Sequence, residues 1–408
     1  MLIKRLGVWC ALLGMVLLMA GCEKVLPTPE PVIITFVHPQ DRTGQYQTWA
    51  EQFHAQYPHI TVELVPTENS PTTLAKEKDT FIASQFEIAS LLQQDVVMNL
   101  ASFVEQDESI QLNDFYPGTL DVFVSEGKRW GIPFGVDMMM MYYNKDVFDR
   151  FGAAYPQIGW TWGNFLESAL AVTNPPNGYG YGMHHNNLYA TYEPIILIYQ
   201  HGGRIFDNLQ QPDHTTFNDP LNIEAMEYYA SLMYQHEVAP TAAEAEQQGQ
   251  AYPWRGIYEG RFGMWLGMYT ERGGQLWGRG WDFAWGVLPL PRDENAATLG
   301  SVSGLFIAAH TAHPDECWLW IKFLSRQMSP TLIPARQSLA TSKDYTQLAG
   351  TDVLEAAQTA MQETMMVNPA LVGFDEALGA LSEAFEAIRK GELTPTEALD
   401  AAQEQGGF

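Results

Sequence analysis

Apolar positions recur along this chain at two spacings, and the spacing changes from segment to segment. Residues 32–37, VIITFV, form an unbroken apolar run of strand length. Tyr46, Trp49, Ala50, Phe53 and Tyr57 then recur at helical spacing, and Pro58 stops that helix before a second predicted strand, ITVELV, at 60–65. Such a β-α-β opening predicts a parallel sheet. Further on, Thr161 caps a helix with Phe165, Leu166, Ala169 and Leu170 on one face. Asn218-Asp219-Pro220 opens another, with Ile223, Met226, Ala230 and Met233 aligned. Leu378, Leu381, Phe385 and Ile388 make a late stripe, and Thr394-Pro395 caps the last helix.

The segment GIPFGVDMMMMYYNKDVF, residues 131–148, breaks both patterns. An alternating strand has one wet face, whereas the unbroken apolar run from Met138 to Tyr142 predicts a strand covered on both. Asn144-Lys145-Asp146 then opens a helix with Val147, Phe148 and Phe151 turned inward. A methionine-rich copper site would need the sulfurs to converge, but consecutive strand residues point to opposite faces.

The N-terminus changes the picture. Lys4-Arg5, an apolar run from Leu6 to Ala20 and the small residue Gly21 compose a secretory signal over 1–21, too short to span a membrane in the usual way. Its end, LLMAGC, resembles a bacterial lipobox, with Met19 where Leu is usual, and implies lipidation of Cys22; ordinary cleavage at Ala20 or Gly21 is the alternative. Residues 22–31, rich in Pro and Glu, suit an extended tether. Cys10 leaves with the signal and Cys22 carries the lipid. Cys317 is therefore without a disulfide partner and reads as a buried thiol in a helix with Trp320, Ile321 and Leu324.

At 408 residues the chain exceeds one ordinary core and predicts two or three domains. Its 48 acidic and 22 basic side chains give a formal charge of −26, which repels nucleic acid and anionic lipid headgroups. Membrane contact is then expected through the lipid anchor alone.

With these runs in place, the chain resembles the bacterial extracellular solute-binding proteins of family 1, the sugar-binding lipoproteins of ABC importers. The resemblance rests on WGIPFGVDMMMMYYNKDVFDRFG, IGWTWGNFLESALAVT, GGRIFDN, FNDPLNIEAMEYYASLM, YEGRFGMW, WGVLPLP, SVSGLFIAAHTAHPDECWLWIKFLSR and IPARQSLA, in the family's order from residue 32 onward. It implies an α/β, two-lobed periplasmic-binding-protein-like fold of type II, each lobe a sheet flanked by helices, joined by a hinge. The expected lobes are 32–137 plus 304–335 and 138–303 plus 336–408, with residues 138–142 as a hinge strand. It further implies a sugar or oligosaccharide ligand, a permease partner, an extracytoplasmic location and a monomer. One departure is the crossover ENSPTTLAKEK, residues 68–78, where the family has a full helix.

A sugar offers C–H faces to aromatic rings and hydroxyls to planar or charged groups. Trp254, Trp265, Trp277, Trp281 and Trp285 are interleaved with glycines and are candidates for the first role; Trp254 and Trp265 are preferred as ligand contacts, with core packing the alternative. Trp130, Trp162, Trp318 and Trp320 read as structural. The resemblance places His38, Gln40 and Asp41 in a cleft loop after the first strand, and Ser84 and Gln85 after Ala83. It places Asp137 at the hinge mouth as a sugar acceptor, with capping of backbone amides as the alternative. From the second lobe it brings Tyr189, Tyr192, Met268 and Tyr269; Ser303 and Gly304 lie on a strand returning to the first. Phe374 is a late stacking position, and Arg336 either binds ligand or ties the lobes together.

No catalytic or cofactor pattern competes. A secreted glycoside hydrolase needs two carboxylates about 5 to 10 Å apart, and no pair stands out in the sequence. A G-x-S-x-G elbow, phosphate loop and dinucleotide motif are absent, and the adjacent His184-His185 do not make a metal spacing. The expectation is a binding protein without cofactor or metal. The alternatives are a lipid-anchored glycoside hydrolase, or a receptor for a peptide, polyamine or glycerol phosphate.

Overall fold

The computed structural model describes residues 30–185, 187–208, 212–249, 253–277, 279–366 and 374–406. The expected signal segment, Cys22 and nearly all of the expected tether lie outside the described residues.

The predicted opening forms as Val32–Pro39, the helix Thr43–Gln56 and Ile60–Thr67, with the two strands parallel from Val32↔Ile60 to Pro39↔Thr67. The sheet as a whole is mixed rather than parallel. Its main path runs Ile60–Thr67, Val32–Pro39, Thr80–Ser84, Thr298–Ile307, Ile132–Asn144, Phe262–Met268 and Tyr179–Gly182. The return strand Thr298–Ile307 is antiparallel to both of its neighbours on this path and parallel to the short strand Thr364–Met366 beside it.

One long strand, Ile132–Asn144, links the two halves of this path. Its residues from Ile132 to Met138 pair with the return strand, and those from Met139 to Tyr143 pair with Phe262–Met268. Asp137, opposite Ser301, therefore sits at the changeover between two sets of partners. The methionines divide by parity. Met139 and Met141 enter a core with the helices Trp162–Ala171, Tyr189–Gln200 and Pro220–Tyr234, whereas Met138 and Met140 enter another with Thr43–Gln56, Pro314–Leu324 and Thr351–Gln362. Both faces of the strand are thus dry, which is why alternation is missing from its sequence.

The helix caps form largely where the side chains predict them. The Thr161 hydroxyl accepts from Asn164 N, Asp219 from Leu221 N and Thr394 from Glu397 N. Asn144 caps Lys145–Phe151 by accepting from Val147 N. Two inward assignments need correction. Phe151 is 41% exposed because the helix ends there at Gly152, and Leu170, 49% exposed, lies near the open end of its helix. The late helices Phe374–Lys390 and Pro395–Gly406 pack on each other and against Tyr189–Gln200 and Pro220–Tyr234. Cys317 is fully buried.

Candidate ligand-binding site

Where the long strand changes partners, a cleft opens with three connected compartments. The polar compartment, about 500 Å³, is lined by Asp41, Ser84, Glu87, Asp137, Thr270 and Ser303, among others. Beyond Asp41, Arg42 and Thr270 it continues into an outer compartment of about 780 Å³ bordered by Arg272 and Trp285. At Ser301 it meets a third, apolar compartment of about 280 Å³ that includes Tyr189, Tyr192 and Met268.

Each wall has an identifiable anchor. On the side of the first strands, Glu87 accepts from Thr72 Oγ1 at 2.9 Å, from Ser84 N at 3.1 Å and from Ser70 Oγ. Those bonds tie the short crossover, folded as a single turn at Pro71–Leu74, to the turn after Ser84, so Ser70 and Pro71 themselves face the cleft. Across the changeover, Thr270 donates its N–H to Asp137 Oδ1 at 3.0 Å and its hydroxyl to Asp137 Oδ2 at 2.7 Å. Next to it, Arg272 donates to the carbonyls of Tyr269, Pro330 and Thr331, with its guanidinium 4.0 Å from the Tyr269 ring. Asp137 thus holds the loop after Phe262–Met268 against the hinge while still bordering the cleft. A carboxylate has about four acceptor sites, and Thr270 occupies two.

Burial pushes Asp137 up to about 6, against the opposing pull of the Thr270 hydrogen bonds and Arg272. Glu271 stands behind this wall, 1% exposed, accepting from the Tyr189 hydroxyl at 2.7 Å and from Met268 N at 3.3 Å. Burial first, then its Tyr189 and Met268 bonds against the charge of Asp137, leave it raised to about 8. Glu193, bonded to Tyr181 in the interior, is likewise raised by burial to about 7. In each case the folded carboxyl holds its proton at a pH where the unfolded one has lost it. The stabilisation is complete below the unfolded value, 4.5 for Glu271, and is lost as pH rises through the folded one. Below 6.5 the buried His184 and His185, held down to about 4 chiefly by desolvation, oppose this trend. Unfolding free energy is accordingly expected to fall between pH 6.5 and 8, by on the order of 2 kcal/mol from Glu271 alone. Urea titrations at the two pH values should show the slope flattened in Glu271→Gln; an unchanged slope would assign it to other groups.

The predicted site residues divide into two groups. Asp41, Ser84, Asp137 and Ser303 border the polar compartment, and Tyr189, Tyr192 and Met268 the apolar one. The rest, Phe374 aside, line none of the three. His38 is fully buried, with Nδ1 on Pro39 O and its ring against Tyr46. Gln40 points outward to Glu68, and Gln85 is buried with its Oε1 accepting from Val302 N. Trp254 backs Tyr189 and His184 edge-on. Trp265 is a core ring with no exposure, stacked on Tyr142, because its strand is covered on both faces. Tyr269 is buried against Tyr345, and a Cβ at Gly304 would meet the Phe123 ring at 2.5 Å, so that glycine serves packing. Arg336, 2% exposed, is turned inward and bonds Ile110 O, Ser325 O and Asp114. The side chain of Phe374 lies outside the described residues; one turn later Leu378 lines the apolar compartment.

Sequence inspection missed Ser301, Thr270, Arg272, Glu271 and Phe86. Ser301 was detectable, since residues two apart on a strand share a face and Ser303 was already a candidate. Thr270 and Arg272 reach Asp137 and Thr331 only through long-range folding.

Two lobes sharing a hinge strand, with polar groups from both around one cleft, define a ligand-binding protein of the type II periplasmic-binding-protein fold. The chain belongs to the bacterial extracellular solute-binding protein family, whose profile matches residues 39–327. A binding protein of Brucella abortus is 22% identical over 389 residues, covering 88% of this chain and 89% of that one. Among solved structures, the cyclic α-maltosyl-1,6-maltose binding protein of Arthrobacter globiformis superposes with TM-score 0.75 at 18% identity, covering 92% of this chain and 98% of that one. A substrate-binding protein of Listeria monocytogenes in complex with cycloalternan gives 0.74 at 21%, with the same coverage.

Proposed function

We propose that this chain captures a sugar or oligosaccharide between its lobes, closes over it about the hinge, and delivers it to the permease of an ABC importer outside the cytoplasm. The observation that carries this reading is the placement of Asp137 at the partner changeover, facing a polar compartment that continues into an apolar one with tyrosines on its wall. Ligand contacts on both sides of such a junction bias an open-closed equilibrium toward closure. The lobes are 32–137 with 304–335 and 138–303 with 336–408, although Gln337 and Ser338 bond back to Phe115 and Asp114. The mature chain is a monomer tethered through lipid on Cys22.

The reading is of a receptor without catalysis. Asp137 and Glu271 are near enough to influence each other and both have raised values, yet Glu271 is sealed behind the wall with both oxygens bonded. That leaves no second carboxylate of this pair to flank a glycosidic bond. Calorimetry and tryptophan fluorescence against mono- and oligosaccharides, polyols and glycerol phosphates, with product analysis of each mixture, test the proposal. A sugar-induced spectral change without cleavage products is expected; turnover that survives repurification, or binding confined to non-sugars, would overturn it.

A further inference from the structure

The apolar compartment is chemically unlike the rest of the cleft. Leu188 and Phe86, 58% and 40% exposed, line it from opposite sides, with Ile195, Ile205, Leu299 and Leu378 deeper in. Exposed apolar side chains that share one concavity mark a place where apolar material is bound. The compartment has little to offer hydroxyls: Ser301 stands at its junction with the polar compartment, the Tyr189 hydroxyl already donates to Glu271, and the Tyr192 and Tyr199 hydroxyls are the other side-chain oxygens on an otherwise apolar wall. A pyranose pressed fully inside would strand several hydroxyls, at about 1–3 kcal/mol for each left without a partner. Its volume, about 280 Å³, exceeds the roughly 150 Å³ of an apolar cavity that accepts benzene.

We propose that the ligand is an amphiphilic glycoside, with its sugar in the polar compartment and an aliphatic or aromatic aglycone in the apolar one. The inference rests on the sugar reading, because the polar compartment must hold the head group while Ser301 marks the crossing point. It adds a substrate class: glycosides carrying an apolar group, in preference to free sugars.

The experiment uses two kinds of probe on the mature protein and on the double variant Phe86→Ser/Leu188→Asp, whose changed positions are both solvent-exposed. The first probe is N-phenyl-1-naphthylamine, which reports an apolar site without reference to any sugar. The second is a panel of methyl, phenyl and octyl glycosides sharing each sugar head, measured by calorimetry. The dye should bind the unaltered protein and weaken at least about tenfold in the double variant. For a sugar whose methyl glycoside binds, the phenyl or octyl form should bind at least about tenfold tighter, and that gain should vanish in the variant. The phenyl and octyl arms tell an aromatic occupant from an aliphatic one. Equal affinity of methyl, phenyl and octyl glycosides would overturn the inference and leave the sugar reading intact. Dye binding lost in the variant, with no glycoside bound by either protein, would overturn the sugar reading and with it the glycoside, while the apolar site would stand. Absence of dye binding, or dye binding indifferent to the variant, would overturn the compartment's role.

Discussion

Trp265→Ala is expected to lower the free energy of unfolding by about 3–5 kcal/mol, the largest stability loss predicted for this chain. The ring is fully buried, stacked on Tyr142 at 6.0 Å and meeting Trp281 edge-on at 5.2 Å. Its removal opens a cavity that the sheet cannot collapse into, because Trp265 pairs in register with Tyr142 on the hinge strand. Trp265→Phe should cost markedly less: it keeps an aromatic ring and removes an indole N–H that has no acceptor. Urea unfolding followed by circular dichroism measures the difference. Below the transition, Trp265→Ala should bind ligand within about threefold of the unaltered protein, since the ring does not border the cleft. A stable variant that has lost its ligand would return Trp265 to the binding surface.

Asp137→Ala is expected to cost binding rather than mainly stability. The substitution takes the acceptor from both Thr270 hydrogen bonds, but Thr270 borders the cleft and its freed groups can turn to solvent, so each loss is worth about 0.5–1.5 kcal/mol. It also frees the loop that holds Arg272 against Pro330 and Thr331, and removes an acceptor from the polar compartment. Affinity for whichever sugar binds should fall at least about a hundredfold in calorimetry. Asp137→Asn, which can still accept from Thr270 N, should fall less. Because Asp137 titrates near 6, affinity of the unaltered protein should also decline as pH drops through that value. Lowered stability with unchanged affinity would mean that Asp137 serves the loop alone.

The fold was largely legible in the order of residues, because its determinants are local. The run VIITFV, the caps at Thr161 and Asp219 and the stripe at Leu381, Phe385 and Ile388 declare themselves within a few positions. Even the hinge strand could be read, since a segment wet on neither face has no reason to alternate. The cleft was harder to read. Whether Trp265 faces ligand or core depends on which strands cover it, and Phe262–Met268 meets the hinge strand across more than a hundred residues. The same distance hid Thr270, which lies 133 positions from its partner Asp137. His38 lies at the end of a strand and Gln85 opens a turn beside the cleft, but the His38 ring folds back onto Pro39 O and Gln85 reaches Val302 N from 217 positions away, and a motif cannot report that.

The parity of the methionine run has an evolutionary consequence. Met139 borders the apolar compartment, whereas its immediate neighbours Met138 and Met140 are committed to the opposite core. Descendants of this protein could therefore reshape the ligand chamber through every second residue of the strand, while the intervening residues go on bracing the far side undisturbed.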